Sequence, residues 1–218
     1  MPKIKSKYKP LYTSKKRYFI LTGGRGSGKT FAIQDLIVRL LEQIGQGILY
    51  TRYTMTSAEK TIIPLFTSYI EKVSDINKYD ITKKQITNKQ TGAFVMFSGI
   101  KTSSGDQTGN LKSLPNITTW IIEEGEDYNN ELSFTDIDDS IRSLELQNRV
   151  IWIQNPTTRE HFVFKKFFEG NYTYKSINGF KYQNCTHPDV EHVHTTYLDN
   201  IENLDSNKVD QWEKIKTT

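Results

Sequence analysis

The eight residues Gly23-Gly24-Arg25-Gly26-Ser27-Gly28-Lys29-Thr30 constrain the fold more than any other stretch of this sequence. They fit the phosphate-loop pattern G-x-x-x-x-G-K-[ST]. The flanks sharpen the match. Residues 18–22 form a short apolar run that stops at glycines and reads as a buried strand. Behind the loop, Phe31, Ile33, Leu36, Ile37, Leu40, Leu41 and Ile44 recur at helical spacing, which predicts a helix over 29–43 ended by Gly45 and Gly47. Strand, glycine loop and helix are the arrangement a bound phosphate needs. The glycines let several backbone N–H groups converge on one anion, and the helix start adds its positive end. Lys29 is placed to reach the β- and γ-phosphates of a nucleotide, and the Thr30 hydroxyl to ligate Mg²⁺. Arg25 either touches the γ-phosphate or points to solvent. A glycine-rich turn that binds nothing is the alternative for the whole loop.

The same alternation continues along the chain. Strands are expected at 48–51, 118–122, 150–153 and 192–197, and helices at 57–73, despite Pro64, and at 208–216. A β-hairpin is expected over 84–98, with arms at 84–87 and 93–97. Short apolar runs alternating with helices predict an α/β fold of the P-loop NTPase type, with a mostly parallel central sheet flanked by helices on both faces. At 218 residues with twelve Tyr, eleven Phe and three Trp, the chain has enough for one domain with a real core. No apolar run is long enough to span a bilayer as a helix, and a single cysteine excludes an intrachain disulfide. Residues 1–17 read as a basic arm, 18–200 as the phosphate-loop domain and 201–218 as a C-terminal helix or linker.

Charge is unevenly distributed. Residues 1–17 hold seven Lys or Arg and no acid, whereas the rest holds 22 basic and 25 acidic residues. Such an arm either binds phosphate backbones or is a solvated terminus. Residues 123–139 hold eight acids and no base. They begin at Thr119-Trp120-Ile121-Ile122-Glu123-Glu124, an apolar strand ending in two carboxylates. That is a Walker B arrangement. The first acid, Glu123, lies beside Mg²⁺, and the second, Glu124, orients and deprotonates the attacking water. Aspartate is more usual at the first position, and the extra methylene of Glu123 suits a water-mediated contact. A carboxylate poised on water points to hydrolysis rather than transfer to a substrate hydroxyl. A strand running into a solvated acidic loop is the alternative, and Glu126 and Asp127 favour it.

With these residues in place, the chain resembles the ATPase domain of phage terminase large subunits, the motors that move DNA into procapsids. The matching pieces are GGRGSGKT at 23–30, Arg52 after the second strand, NLKSLPNITTWIIEEGE at 110–126, IQNPTT at 153–158 and HTTYLDN at 194–200. They occur in family order over nearly the whole chain. The resemblance implies ATP and Mg²⁺ as cofactors, bound by the 23–30 loop, with Thr30 and Glu123 on the metal side. It implies catalytic roles for Glu124, Lys29 and Arg25. Asn155 would be the coupling residue that senses the γ-phosphate, although an Asn-Pro turn also simply ends strands. Arg52 would lie near the nucleotide base or the phosphates. The implied partners are double-stranded DNA, a portal protein, a small terminase subunit and further copies of the chain in a ring. No membrane is involved, and the implied place of work is the host cytoplasm. Full-length members carry a second, RNase H-like nuclease domain, and this chain stops near where it would begin, so nuclease activity is not expected. A finger acting on a neighbouring site would come from Lys112, Arg142 or Arg149; a lysine is the poorer bidentate partner. Two other readings fit the residues: a different nucleic-acid ATPase, helicase-like or recombinational, and a non-hydrolysing nucleotide switch.

Three further clusters read as structural. Cys185, His187, His192 and His194 lack a usual zinc spacing, and His192 and His194 face one side of a strand. Glu131, Asp136, Asp138 and Asp139 read as a loop and first helical turn, where acids favour the dipole. Phe162, Phe164, Phe167 and Phe168 read as a helix face packed on the sheet.

Overall fold

The computed structural model of the chain describes residues 5–55, 58–102, 105–106, 108–177 and 179–216. Residues 1–4 of the basic arm and position 57 of the second expected helix lie outside them. The strands are β1 (Tyr18–Gly23), β2 (Gly47–Thr54), β3 (Tyr79–Ile81), β4 (Gln85–Asn88), β5 (Phe94–Thr102), β6 (Gly105–Asp106), β7 (Thr119–Glu123), β8 (Arg149–Gln154), β9 (Tyr172–Ile177), β10 (Phe180–Cys185) and β11 (Val190–Thr195). The main sheet runs β11-β1-β8-β7-β2-β5-β4-β3, with β6 on β5, and β9 and β10 form a separate antiparallel pair. From β11 to β5 every pairing is parallel; β4 and β3 add an antiparallel edge.

Period-2 burial shows why these runs are strands. Phe19, Leu21, Ile48, Tyr50, Ile121, Ile151 and Ile153 enter one core, while Ile20, Leu49, Trp120, Ile122, Val150 and Trp152 enter the other. Both faces are covered, so neither set of alternating positions is polar. The first core is closed by α1 (Lys29–Leu41) and α2 (Ala58–Val73), the second by α3 (Glu131–Asp138) and the aromatic turn Phe164–Phe168. Ile33, Ile37 and Leu41 of α1 are fully buried; each such side chain contributes about 1.5–3 kcal/mol. The helix ends at Leu41 rather than near 43, and Ile44 is exposed.

Two expectations are corrected. Residues 5–17 are not an arm apart from the body. Tyr8 and Leu11 are buried, Lys7 pairs with Asp199 at 3.2 Å, and Arg17 pairs with Asp138 at 2.5 Å. Acids of the body thus offset Lys7 and Arg17. Asp136 and Asp138 do not occupy a first helical turn. They close α3 at its C-terminal end, where Lys112 and Arg17 offset them instead of the dipole. The phenylalanine run packs on the sheet as expected, its helical turn being of the π type, with Phe162, Phe167 and Phe168 buried. The β9–β10 pair and β3 have no counterpart in the sequence reading. The final elements start earlier than expected, β11 at Val190 and α4 (Ser206–Lys216) at Ser206.

Candidate active site

The expected site residues meet at the C-terminal edge of the parallel strands. There β1 ends at Gly23, whose φ of +147° suits glycine, and a Cβ would lie 2.0 Å from the Thr195 carbonyl oxygen. The loop then runs to Gly28, the N-cap of α1. Lys29 is 9% exposed, and its Nζ donates to the carbonyls of Gly23 and Gly24, the latter at 3.0 Å. Burial pushes its ammonium down to about 8, opposed by the carboxylates of Glu126 and Glu123. Ser27 Oγ donates to the Gly24 carbonyl at 2.9 Å. Tyr8 donates its hydroxyl hydrogen to the Ser27 carbonyl at 2.9 Å, and Asn200 Nδ2 donates to that of Gly26 at 2.9 Å.

Parallel registry brings the acids to the loop. Arg52 on β2 is the register partner of Glu123 on β7, and both face the core that α1 covers. Arg52 donates to Glu123 Oε2 from Nη2 at 2.6 Å and from Nε at 2.9 Å, and the Tyr50 hydroxyl donates to the same oxygen. The other oxygen, Oε1, accepts from Thr30 Oγ1 at 2.9 Å. Glu123 therefore links the Walker B strand to the first turn of α1. Arg52 also lies 3.6 Å from Glu124. This places Arg52 against the acid pair, a contact that its expected position near the base or phosphates did not include.

Glu124 has a φ of +55°, a strained conformation for a non-glycine residue. Its carboxyl is raised by partial burial, opposed by Arg52 and reinforced by Glu123, Asp127 and Glu126. Asn155, just past β8, donates from its backbone N to Glu126 Oε2 at 3.1 Å and from Nδ2 to Oε1 at 2.5 Å. A cavity of about 590 Å³ is lined by Gly24, Arg25, Gly26, Ser27, Gly28, Lys29, Thr30, Arg52, Glu123, Glu124 and Asn155. Gly23 lies beneath it, and Arg25 is exposed at its rim. Glu126, Asp127, Gln154 and Asn200 line it as well, although the sequence reading gives none of them a role in the site. Asn200 lies within the HTTYLDN stretch, so its neighbourhood was flagged; nothing in the sequence points to Tyr8.

Lys112, Arg142 and Arg149 do not line this cavity. Lys112 pairs with Asp136 at 3.2 Å, and Lys112 and Arg142 line a second cavity at the opposite sheet edge. The Arg149 guanidinium is enclosed, with Nη2 donating to Gln147 Oε1 at 2.8 Å. An enclosed guanidinium is poorly placed to reach a neighbouring subunit. The histidines of the discounted cluster serve the fold. His192 Nε2 and His194 Nδ1 each lie 2.8 Å from Thr22 Oγ1, and burial lowers them to about 3 and about 4.

The sequence profile of phage terminase large subunits matches residues 15–218. No curated protein sequence matches the chain. Among solved structures, the large terminase of a thermophilic bacteriophage superposes with a TM-score of 0.69 at 14% identity, over 97% of this chain and 50% of that one. The Thermus phage P74-26 large terminase ATPase domain gives 0.59 at 17% identity, over 89% and 80%. The N-terminal domain of the DNA packaging ATPase of bacteriophage phi29 gives 0.56 at 13%, over 85% and 93%. This chain spans about half the length of the first of these proteins. The strand order sets β8 between the phosphate-loop strand and the acid-bearing strand. With the profile match over nearly all of its length, the chain belongs to the phage terminase large subunit family.

Proposed function

We propose that this chain is the ATP-hydrolysing domain of a viral DNA-packaging motor and that it uses Mg²⁺. The observation that carries hydrolysis is the convergence of Lys29, Thr30, Glu123 and Glu124 on one cavity, with Thr30 bonded to Glu123. A hydroxyl and a carboxylate oxygen 2.9 Å apart form a hard-oxygen donor set that fits Mg²⁺. When bound, Mg²⁺ would neutralise charge on the β- and γ-phosphates. Thr30 and Glu123 Oε1 would hold it. The backbone of 24–28 cradles the phosphates, and Lys29 exchanges the Gly23 and Gly24 carbonyls for phosphate oxygens. Arg25 reaches the γ-phosphate from the loop. Glu124, made more basic by its surroundings, accepts the proton of the attacking water. Arg52 holds Glu123 and Glu124 in register. Asn155 senses the γ-phosphate at the end of β8.

Packaging rests on the family. Structures of the thermophilic bacteriophage's large terminase hold ADP or ATP-γ-S, and a solved phi29 assembly is a viral genome packaging motor. On that basis, double-stranded DNA, a portal protein, a small terminase subunit and a ring of copies are the partners we propose. The test is Mg²⁺-dependent phosphate release from ATP across a range of protein concentrations. Turnover should fall about 10²–10⁴-fold in Glu124→Gln, with nucleotide binding retained. Equal turnover in the two proteins, or nucleotide binding without turnover in the wild type, overturns the hydrolytic reading. Specific activity that rises with concentration supports a residue supplied by a neighbouring copy.

A further inference from the structure

The turn after Glu124 is fastened to β8 at two points. Gly125 lies flat on the indole of Trp152, where a Cβ would come within 2.3 Å of Nε1. Any larger residue would push the turn off the strand. One residue on, Glu126 accepts two hydrogen bonds from Asn155, from the backbone N–H and from the side-chain amide, one on each carboxylate oxygen. The turn itself is closed by Asp127 N to Glu124 O at 3.1 Å and Tyr128 N to Gly125 O at 3.1 Å. Glu124 is the N-cap of this turn and holds its left-handed conformation there. Such a conformation persists only where its surroundings over-determine it. The surroundings here are Trp152 beneath Gly125 and Asn155 clasped by Glu126.

We propose that Glu126 is a positioning residue. By clasping Asn155 it fixes the turn that aims Glu124, so that a displacement at the end of β8 reaches the Glu124 carboxylate through Glu126. The inference rests on the hydrolytic reading above and adds a residue to it. Topology makes the path short, because β8 lies between β1, which carries the phosphate loop, and β7, which carries the acids. Asn155 reaches Glu126 through its backbone N–H and its side-chain amide, so a phosphate that draws the amide away loosens or tilts that carboxylate. A bystander acid gives the opposite expectation. Glu126 lines the same cavity as Lys29, so as a mere negative charge its removal would tighten the binding of an anionic nucleotide and leave turnover intact.

The experiment compares wild type, Glu124→Gln, Glu126→Ala and Glu126→Gln, all in the full 218-residue chain. Glutamine removes the charge but keeps two hydrogen bonds to Asn155, its oxygen accepting the backbone N–H and its amide donating to the Asn155 amide oxygen once that amide turns over; alanine keeps neither. Steady-state ATP hydrolysis and the affinity for a fluorescent ATP analogue are measured together. A misplacement of about 1 Å at a reacting group costs on the order of 10²-fold, so kcat in Glu126→Ala should fall about 10–100-fold with affinity within about twofold of wild type, and Glu126→Gln should keep most of its turnover. The second readout is the ¹⁹F resonance of 5-fluorotryptophan at position 152 on addition of ATP-γ-S and Mg²⁺. The line should move in wild type, stay in place in Glu126→Ala, and move again in Glu126→Gln. Wild-type turnover in Glu126→Ala overturns the proposal, and so does an equal loss in Glu126→Ala and Glu126→Gln. So does a Trp152 line that nucleotide leaves unmoved in wild type, moves equally in Glu126→Ala, or does not move in Glu126→Gln. If Glu124→Gln is unimpaired or wild type is inactive, the hydrolytic reading falls instead, and the fluorine readout still decides the clasp.

Discussion

Two cavities lie at opposite edges of the parallel sheet, and the larger is the less equipped for chemistry. The one at the C-terminal edge, about 590 Å³, gathers the glycine loop, one lysine, Arg52, four acids and Asn155. The one at the N-terminal edge, about 730 Å³, is walled mainly by connecting loops and holds Lys112, Arg142 and Glu145. The difference follows from strand direction. At the C-terminal edge, β1 feeds the start of α1, so loop N–H groups and the positive end of a helix face outward together. The neighbouring strands β7 and β8 end there in acids and an amide. Helices reach the opposite edge by their C-termini, and no anion-binding cradle forms. Convergence of polar groups, rather than volume, marks the site.

The largest effect that would sharpen this contrast is expected from Lys29→Met. Loss of a charge-assisted hydrogen bond of about 1.5–3 kcal/mol should weaken nucleotide binding about 10–100-fold in a direct titration. Unchanged affinity would mean that the backbone cradle alone holds the phosphates. A smaller effect concerns pH. Because burial holds Lys29 at about 8, it is charged and attracts phosphate below that pH. Above it, binding must first take up a proton. Affinity should therefore drop by up to about tenfold per pH unit above 8 in wild type, and stay flat in Lys29→Met. A wild-type profile that is flat well above that pH would place the ammonium outside the phosphate contact. The smallest effect is expected at the other edge. Arg142→Ala should leave nucleotide affinity within about twofold and the melting temperature nearly unchanged. A large loss of affinity would break the comparison by showing that the second cavity takes part in binding within one chain.

The loop and its flanks were legible because both signals are local. A glycine-rich turn and an apolar helix stripe are written in consecutive residues. The acids after Ile122 were equally plain, but their partners were not. Arg52 was marked only by resemblance, and its bond to Glu123 depends on the registry of β2 with β7. Glu126 favoured the reading of a solvated loop, since nothing local shows that Asn155, 29 positions away, donates to it. Lys7 and Arg17 were misjudged for the same reason. Their acidic partners, Asp199 and Asp138, lie more than a hundred positions further along.

By itself, the sequence determined the fold class, the phosphate loop and the identity of the two acids, because short-range periodicity and backbone freedom suffice for those. Tertiary structure decided which groups surround them. It set Thr30 on one oxygen of Glu123 and Arg52 on the other, stretched Tyr8 and Asn200 across the loop, and fastened the turn of Glu124 to β8. Those contacts join segments from every part of the chain, and only the order and registry of the strands brings them within hydrogen-bonding distance.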